Sequence, residues 1–173
     1  MLIDCTYFTD GPRHILNATL GTVNPNANEV CSAIEAYIAK LQKPFLVGVL
    51  GKEVGKQALD YIKSLDAEEA ERDVDLDMVL EQLKEPFADY VFFKILRDSS
   101  SQATITGLVQ LKSANTYVAP MKRQVSTWNE MVEAIADFTD WCDSDECPFP
   151  DIETSDNFKS KINSFNLWNV AVR

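Results

Sequence analysis

Between Asn28 and Gly51 the apolar positions Val30, Ile34, Tyr37, Ile38, Leu41, Phe45 and Val49 recur in steps of three and four, which gathers them on one side of an α-helix. Asn28 suits the N-cap of that helix with Glu29 in its first turn, and Gly51 supplies the left-handed residue that commonly ends one. Pro44 interrupts the pattern: inside a helix it removes the bond to the Lys40 carbonyl and crowds the preceding turn, at about 3 kcal/mol. A kink or break is therefore expected near Lys40 to Pro44.

The same period continues in three further stretches. Val54, Ala58, Leu59, Ile62 and Leu65 predict a helix over 52–65, which pairs with the first as a hairpin. Val79, Leu80, Leu83, Phe87, Tyr90, Val91 and Ile95 predict one over 74–97. Trp128, Met131, Val132, Ile135, Phe138 and Cys142 predict one over 127–142, opened by a Thr127-x-x-Glu130 capping box. Ile38-x-x-Leu41-x-x-Pro44-Phe45 and Leu80-x-x-Leu83-x-x-Pro86-Phe87 share their spacing, although two copies are too few for a solenoid.

Elsewhere the pattern is less regular. Ile3, Cys5 and Tyr7 alternate as in a short strand or an ordered arm. Asp10 and Pro12 then mark the start of a small helix over Arg13 to Leu20, which carries the only histidine, His14, in a packing or surface role. Thr104 to Lys112 is β-branched and with Asn115 to Val118 suggests an irregular hairpin or extended loop, so that β-structure is confined to 1–8 and 103–119. A connection of this length either covers its own helices or touches a partner. The fold class expected is mainly α: a bundle of four long, partly kinked helices with a long β-like loop and an extended C-terminal segment. The helical domain spans 1–142, followed at 143–173 by an acidic turn and an apolar docking segment.

Charge changes what this scaffold can bind. The 173 residues carry a net charge of -11, from 27 acidic and 16 basic side chains. Such a surface repels nucleic-acid phosphates and anionic lipids within the roughly 8 Å Debye length of physiological salt. It suits a wall past which DNA slides, a decoy that imitates DNA, or a coat that only keeps the chain dispersed. No apolar run reaches the roughly 18 residues of a membrane span, and Met1 to Tyr7 lacks the basic start and apolar centre of a signal peptide, so no membrane partner is expected. The four cysteines read as reduced thiols in a cytosol-like compartment.

Candidate chemistry is sparse. Asp73 to Asp77 opens like a calcium loop, but Met78 stands where glycine is needed and Lys84 where glutamate is. Cys142-x4-Cys147 has only Cys5, Cys31 and His14, all distant in sequence, to complete a zinc site. Neither a nucleophile-elbow motif nor a phosphate-cradling loop is present. No metal, cofactor or catalytic residue is expected, and an enzyme is the third reading.

The order FTDGPRHIL, a helix ending in PFLVGVLG, a helix ending in DYVFFKIL, then TGLVQL and a Trp-bearing helix resembles the head–tail connector (adaptor) proteins of tailed bacteriophages and prophages. The resemblance spans roughly 8–142, and 143–173 departs from it. It implies a virion protein of the neck, present in host cytoplasm during assembly, that forms a cyclic homo-oligomer between portal and tail or stopper proteins. DNA would pass through its acidic channel without specific binding. Glu68, Glu69, Asp73 and Asp75, with Asp143, Asp145 and Glu146 as a second cluster, are the candidate DNA-facing residues. Ile105, Leu108, Val109 and Leu111 in the loop, with Phe158, Ile162, Phe165 and Trp168 in the C-terminal segment, are the candidate partner contacts. The rival from another class is an acidic DNA mimic that inhibits a nucleic-acid enzyme.

Overall fold

The computed structural model describes residues 1–18, 25–65, 72–99, 101–104, 107–110, 121–144, 146–149 and 152–163. They are mainly helical: α1 (Pro25–Ser64), α2 (Val74–Asp98), α3 (Met121–Cys142) and the short α4 (Asp156–Lys159), with strands β1 (Ser101–Thr104) and β2 (Gly107–Gln110). α2 is the central helix and packs against both α1 and α3. Leu41, Leu83 and Ile135, one from each long helix, are buried as their periodicity requires. No helix among the described residues is long and apolar enough to cross a membrane.

α1 begins at Pro25, so Asn28 lies inside it rather than capping it, and a proline in the first turn loses no helical bond. The chain does not break at Pro44. Backbone angles stay helical through Pro44 on the exposed side, where water can satisfy the Lys40 carbonyl that the proline leaves without a donor. The break comes at Gly51, whose φ of 76° and ψ of 176° belong to a region that only glycine enters cheaply. Beyond it the second limb folds back on the first. In a straight helix Gly55 would stand roughly 13 Å along the axis from Leu46, yet a Cβ on Gly55 would lie 2.8 Å from the Leu46 carbonyl oxygen. The expected hairpin is thus a sharp fold within α1, and Gly55 permits its close crossing.

Other expectations are corrected. The first eight residues form no strand: Cys5–Phe8 is a 3-10 helix whose N-cap, Asp4, accepts from the Thr6 amide. The small helix predicted after Asp10 shrinks to the 3-10 turn Gly11–Arg13, which ends at His14 where ψ turns to 127°. α3 starts six residues before Thr127, which is buried within the helix and caps nothing, while Glu130 instead accepts from Ser126. β1 and β2 pair antiparallel in register from Ser101 opposite Gln110 to Thr104 opposite Gly107, earlier in the chain than expected, and Asn115 to Val118 lies outside the described residues. Cys5 and Cys31 are not free thiols but a disulfide, formed because the N-terminal arm lies on the start of α1 with the two Cα atoms 5.5 Å apart. Leu2 fastens the same arm, its amide donating to Gln42 at 2.7 Å.

Candidate functional site

The break at Gly51 leaves the last carbonyls of the first limb without helical donors, and the C-terminal segment supplies them. Thr154 Oγ1 donates to the Val49 carbonyl and the Ser155 amide to that of Gly48, each at 2.8 Å. Phe158 then enters the core over Gly48, where a Cβ would lie 2.3 Å from its Cε2. Its ring meets Phe45 edge-on at 5.5 Å and stands 5.4 Å from Tyr90, while Trp128 stacks at 6.4 Å. Trp128 donates its indole N–H to Ser160 at 2.9 Å, and the Asn129 amide both accepts from and donates to the Ile162 backbone, at 2.8 and 3.0 Å. Phe158 and Ile162, candidates for a partner contact, are therefore core residues of their own chain, and α4 packs against both α1 and α3. Phe165 and Trp168 lie outside the described residues, as do Ile105 and Leu111. Leu108 and Val109 are in β2, opposite Ala103 and Gln102.

The acidic candidates divide by role. Asp73 is the N-cap of α2, its carboxylate accepting from the Asp75 and Leu76 amides at 3.1 Å, so it is a structural group rather than one more repulsive charge. Asp75 is exposed in the first turn, where a negative charge favours the helix dipole. Asp143 and Glu146 are exposed just after α3; Glu68, Glu69 and Asp145 lie outside the described residues. Glu130, Glu133, Asp137 and Asp140, which the sequence places around the apolar stripe of this helix, share one exposed side of α3, with Trp141 half-buried beside them. Their three- and four-residue spacing is the complement of the core stripe.

A second charged surface was not anticipated at all. Where α1 folds back, Lys43, Lys52, Lys56 and Lys63, with Asp60 as the one carboxylate of the lining, surround Val47 and Leu59 in a groove of about 480 Å3. Only Lys63 has a carboxylate partner among the described residues, Asp60 at 3.2 Å. The signal lay in the local balance of residues 40–63, which hold five lysines, Lys40 included, against only Glu53 and Asp60.

Three further polar clusters are structural in geometry. Arg13, anchored by the turn before it, bridges Glu85 and Asp89 on α2, the latter at 2.9 Å. Burial outweighs the attraction of Arg13 and raises the Asp89 carboxyl to about 6. Tyr61 donates to Asp77 at 2.8 Å and, with Arg72, holds that carboxyl below its usual range. Cys142 is pushed up to about 12 by burial and by Cys147 beside it, which keeps it a thiol and a poor nucleophile at neutral pH. His14 is exposed, and no group of three or more metal-ligating side chains occurs among the described residues.

What the arrangement offers chemically is surface: a braced helical core carrying lysines on α1 and carboxylates on α3. No family model, curated protein or solved structure matches the chain.

Proposed function

We propose that this chain is a structural subunit of a ring in the neck of a tailed phage or prophage particle, joining portal to tail and giving DNA a non-adhesive acidic channel. The observation that carries the reading is the separation of charge between two helices that both pack on α2: lysines at the fold of α1 and a carboxylate row on α3. A ring closes through heterologous contacts, in which one patch meets a different patch on the neighbour, and two unlike patches on one rigid core meet that requirement. The exposed carboxylates Asp75, Asp143 and Glu146 then remain to repel DNA. The resemblance in residues 8–142 points the same way.

The α3 row is also what a DNA mimic would display, but its density argues against that role. From Glu130 to Asp140 the helix rises about 15 Å, or roughly 5 Å per charge, whereas one strand of duplex DNA carries a charge every roughly 3.4 Å and faces a second strand as dense. Light scattering of the chain alone and with portal protein tests the proposal. A multimer that binds portal is the expected result; a monomer that ignores portal and binds a basic nucleic-acid enzyme would replace this reading with the mimic.

A further inference from the structure

The lysine groove and the carboxylate row are opposite in sign and share a four-residue interval between charges. On the second limb of α1, Lys52, Lys56, Leu59 and Lys63 stand at offsets of zero, four, seven and eleven residues, which puts them in one row. On α3, Glu133, Asp137 and Asp140 stand at zero, four and seven. Both helices thus present a charged pair about 6 Å apart along their axes, Lys52 with Lys56 and Glu133 with Asp137, while the apolar Leu59 stands at the offset of Asp140. Neither Asp137 nor Asp140 has an ion-pair partner among the described residues, and neither does Lys43, Lys52 or Lys56. Glu133 is held by Lys161 of its own chain. Trp141, half-buried against Phe138, lies next to Asp140 and one turn beyond Asp137. It is the kind of flat, amphipathic side chain that anchors interfaces. The groove offers it Val47 and Leu59 as an apolar floor, with ammonium groups around the rim that favour an aromatic face.

We propose that the second half of α3 in one copy, with Trp141 as anchor and Asp137 and Asp140 as flanking charges, docks in the lysine groove at the fold of α1 in a second copy. The contact is heterologous and leaves each copy with one groove and one α3 row unused, so that addition continues until the ring closes. It rests on the ring reading above and names the surfaces that make the ring.

Charge exchange tests it, read by sedimentation velocity at low and high salt on the full chain, with circular dichroism to establish folding. One variant carries Lys52→Glu and Lys56→Glu; the other carries Asp137→Lys and Asp140→Lys. All four positions are exposed. Each variant alone should associate at least about tenfold more weakly than the unaltered chain. Mixed together they should associate again, because every reversed groove then meets a reversed row. Trp141→Ala should weaken association without altering its salt dependence. Loss in both single variants with no recovery on mixing would overturn the pairing, as would unchanged masses in both. A lysine variant that changes only the retention of a short duplex DNA would assign the groove to phosphate instead. If association is lost and recovered as described but portal protein does not bind, the contact stands and the neck assignment fails.

Discussion

Phe45 and Phe87, at equivalent positions of the two related stretches in α1 and α2, face each other with ring centroids 5.0 Å apart and planes tilted by 41°. The shared spacing of leucine, proline and phenylalanine thus corresponds to a real junction, where two helices present the same face to one another. Leu83, fully buried one turn before Phe87, should cost about 2–5 kcal/mol when changed to alanine. Denaturant unfolding measures this, and a loss below about 1 kcal/mol would mean that the site collapses onto the cavity.

Phe158 and Gly48 should be energetically coupled. Phe158→Ala is expected to cost about 3–5 kcal/mol, and Gly48→Ala about 1–3 kcal/mol because its methyl would strike the Phe158 ring. With the ring already gone, the added methyl should cost almost nothing. A double-mutant cycle in chemical denaturant reads the coupling, and simple additivity would show that the ring can move aside.

Gly51→Ala forces a side chain into backbone angles that glycine alone tolerates, at about 1–3 kcal/mol. Thr154→Val, which removes the donor to the Val49 carbonyl in a buried setting, should cost about 1–3 kcal/mol. Thermal unfolding of the two single variants checks both. Removal of residues 154 onward should therefore destabilise the fold as well as any assembly.

Asp89 gives stability a definite pH dependence. Its folded carboxyl lies near 6, above the unfolded value of 3.8, so the folded state holds the proton more tightly. Its contribution is present below about pH 4 and is lost as pH rises through about 6, an effect of about 3 kcal/mol at most. Asp89→Asn should flatten the stability profile in that window relative to the unaltered chain. Identical profiles from pH 4 to 7 would place the titration elsewhere.

The acidic start of α2 should respond unevenly to charge reversal. Asp73→Lys loses a cap and is expected to cost about 0.5–2 kcal/mol, whereas Asp75→Lys loses only a dipole interaction of about 0.3–1 kcal/mol. Glu68→Lys, Glu69→Lys and Asp75→Lys together, with Asp73 retained, are the proper test of DNA repulsion. They should create salt-sensitive retention of duplex DNA, and no retention at low salt would remove this cluster from the channel.

The periodicity was legible wherever burial alone decides position, as at Ile38, Leu83 and Ile135, because a helix between core and solvent must repeat every three to four residues. Helix ends were less so. Thr127 has the capping-box spacing, yet helix-compatible residues upstream and the burial of Gln124 extend α3 beyond it, with Gln124 donating to the Leu96 carbonyl at 3.0 Å. Gly48, Gly51 and Gly55 mark in turn a socket, a break and a crossing, but each role depends on residues distant in sequence. The lysine groove escaped notice because net charge averages over a surface whose poles are local.

The pairing of Thr154 with Val49 joins residues 105 positions apart, and this affects synthesis. A chain emerging from its amino end can begin α1, α2 and α3 early, since the rings that join them, Phe45 with Phe87 and Phe93 with Trp128, are nearer in sequence than Val49 and Thr154. The socket between Phe45, Tyr90 and Trp128 stays open until residue 158 appears. Completion of the core is thus a late step, and a nascent chain stalled before that point would display an aromatic cleft able to bind a hydrophobic dye or a chaperone.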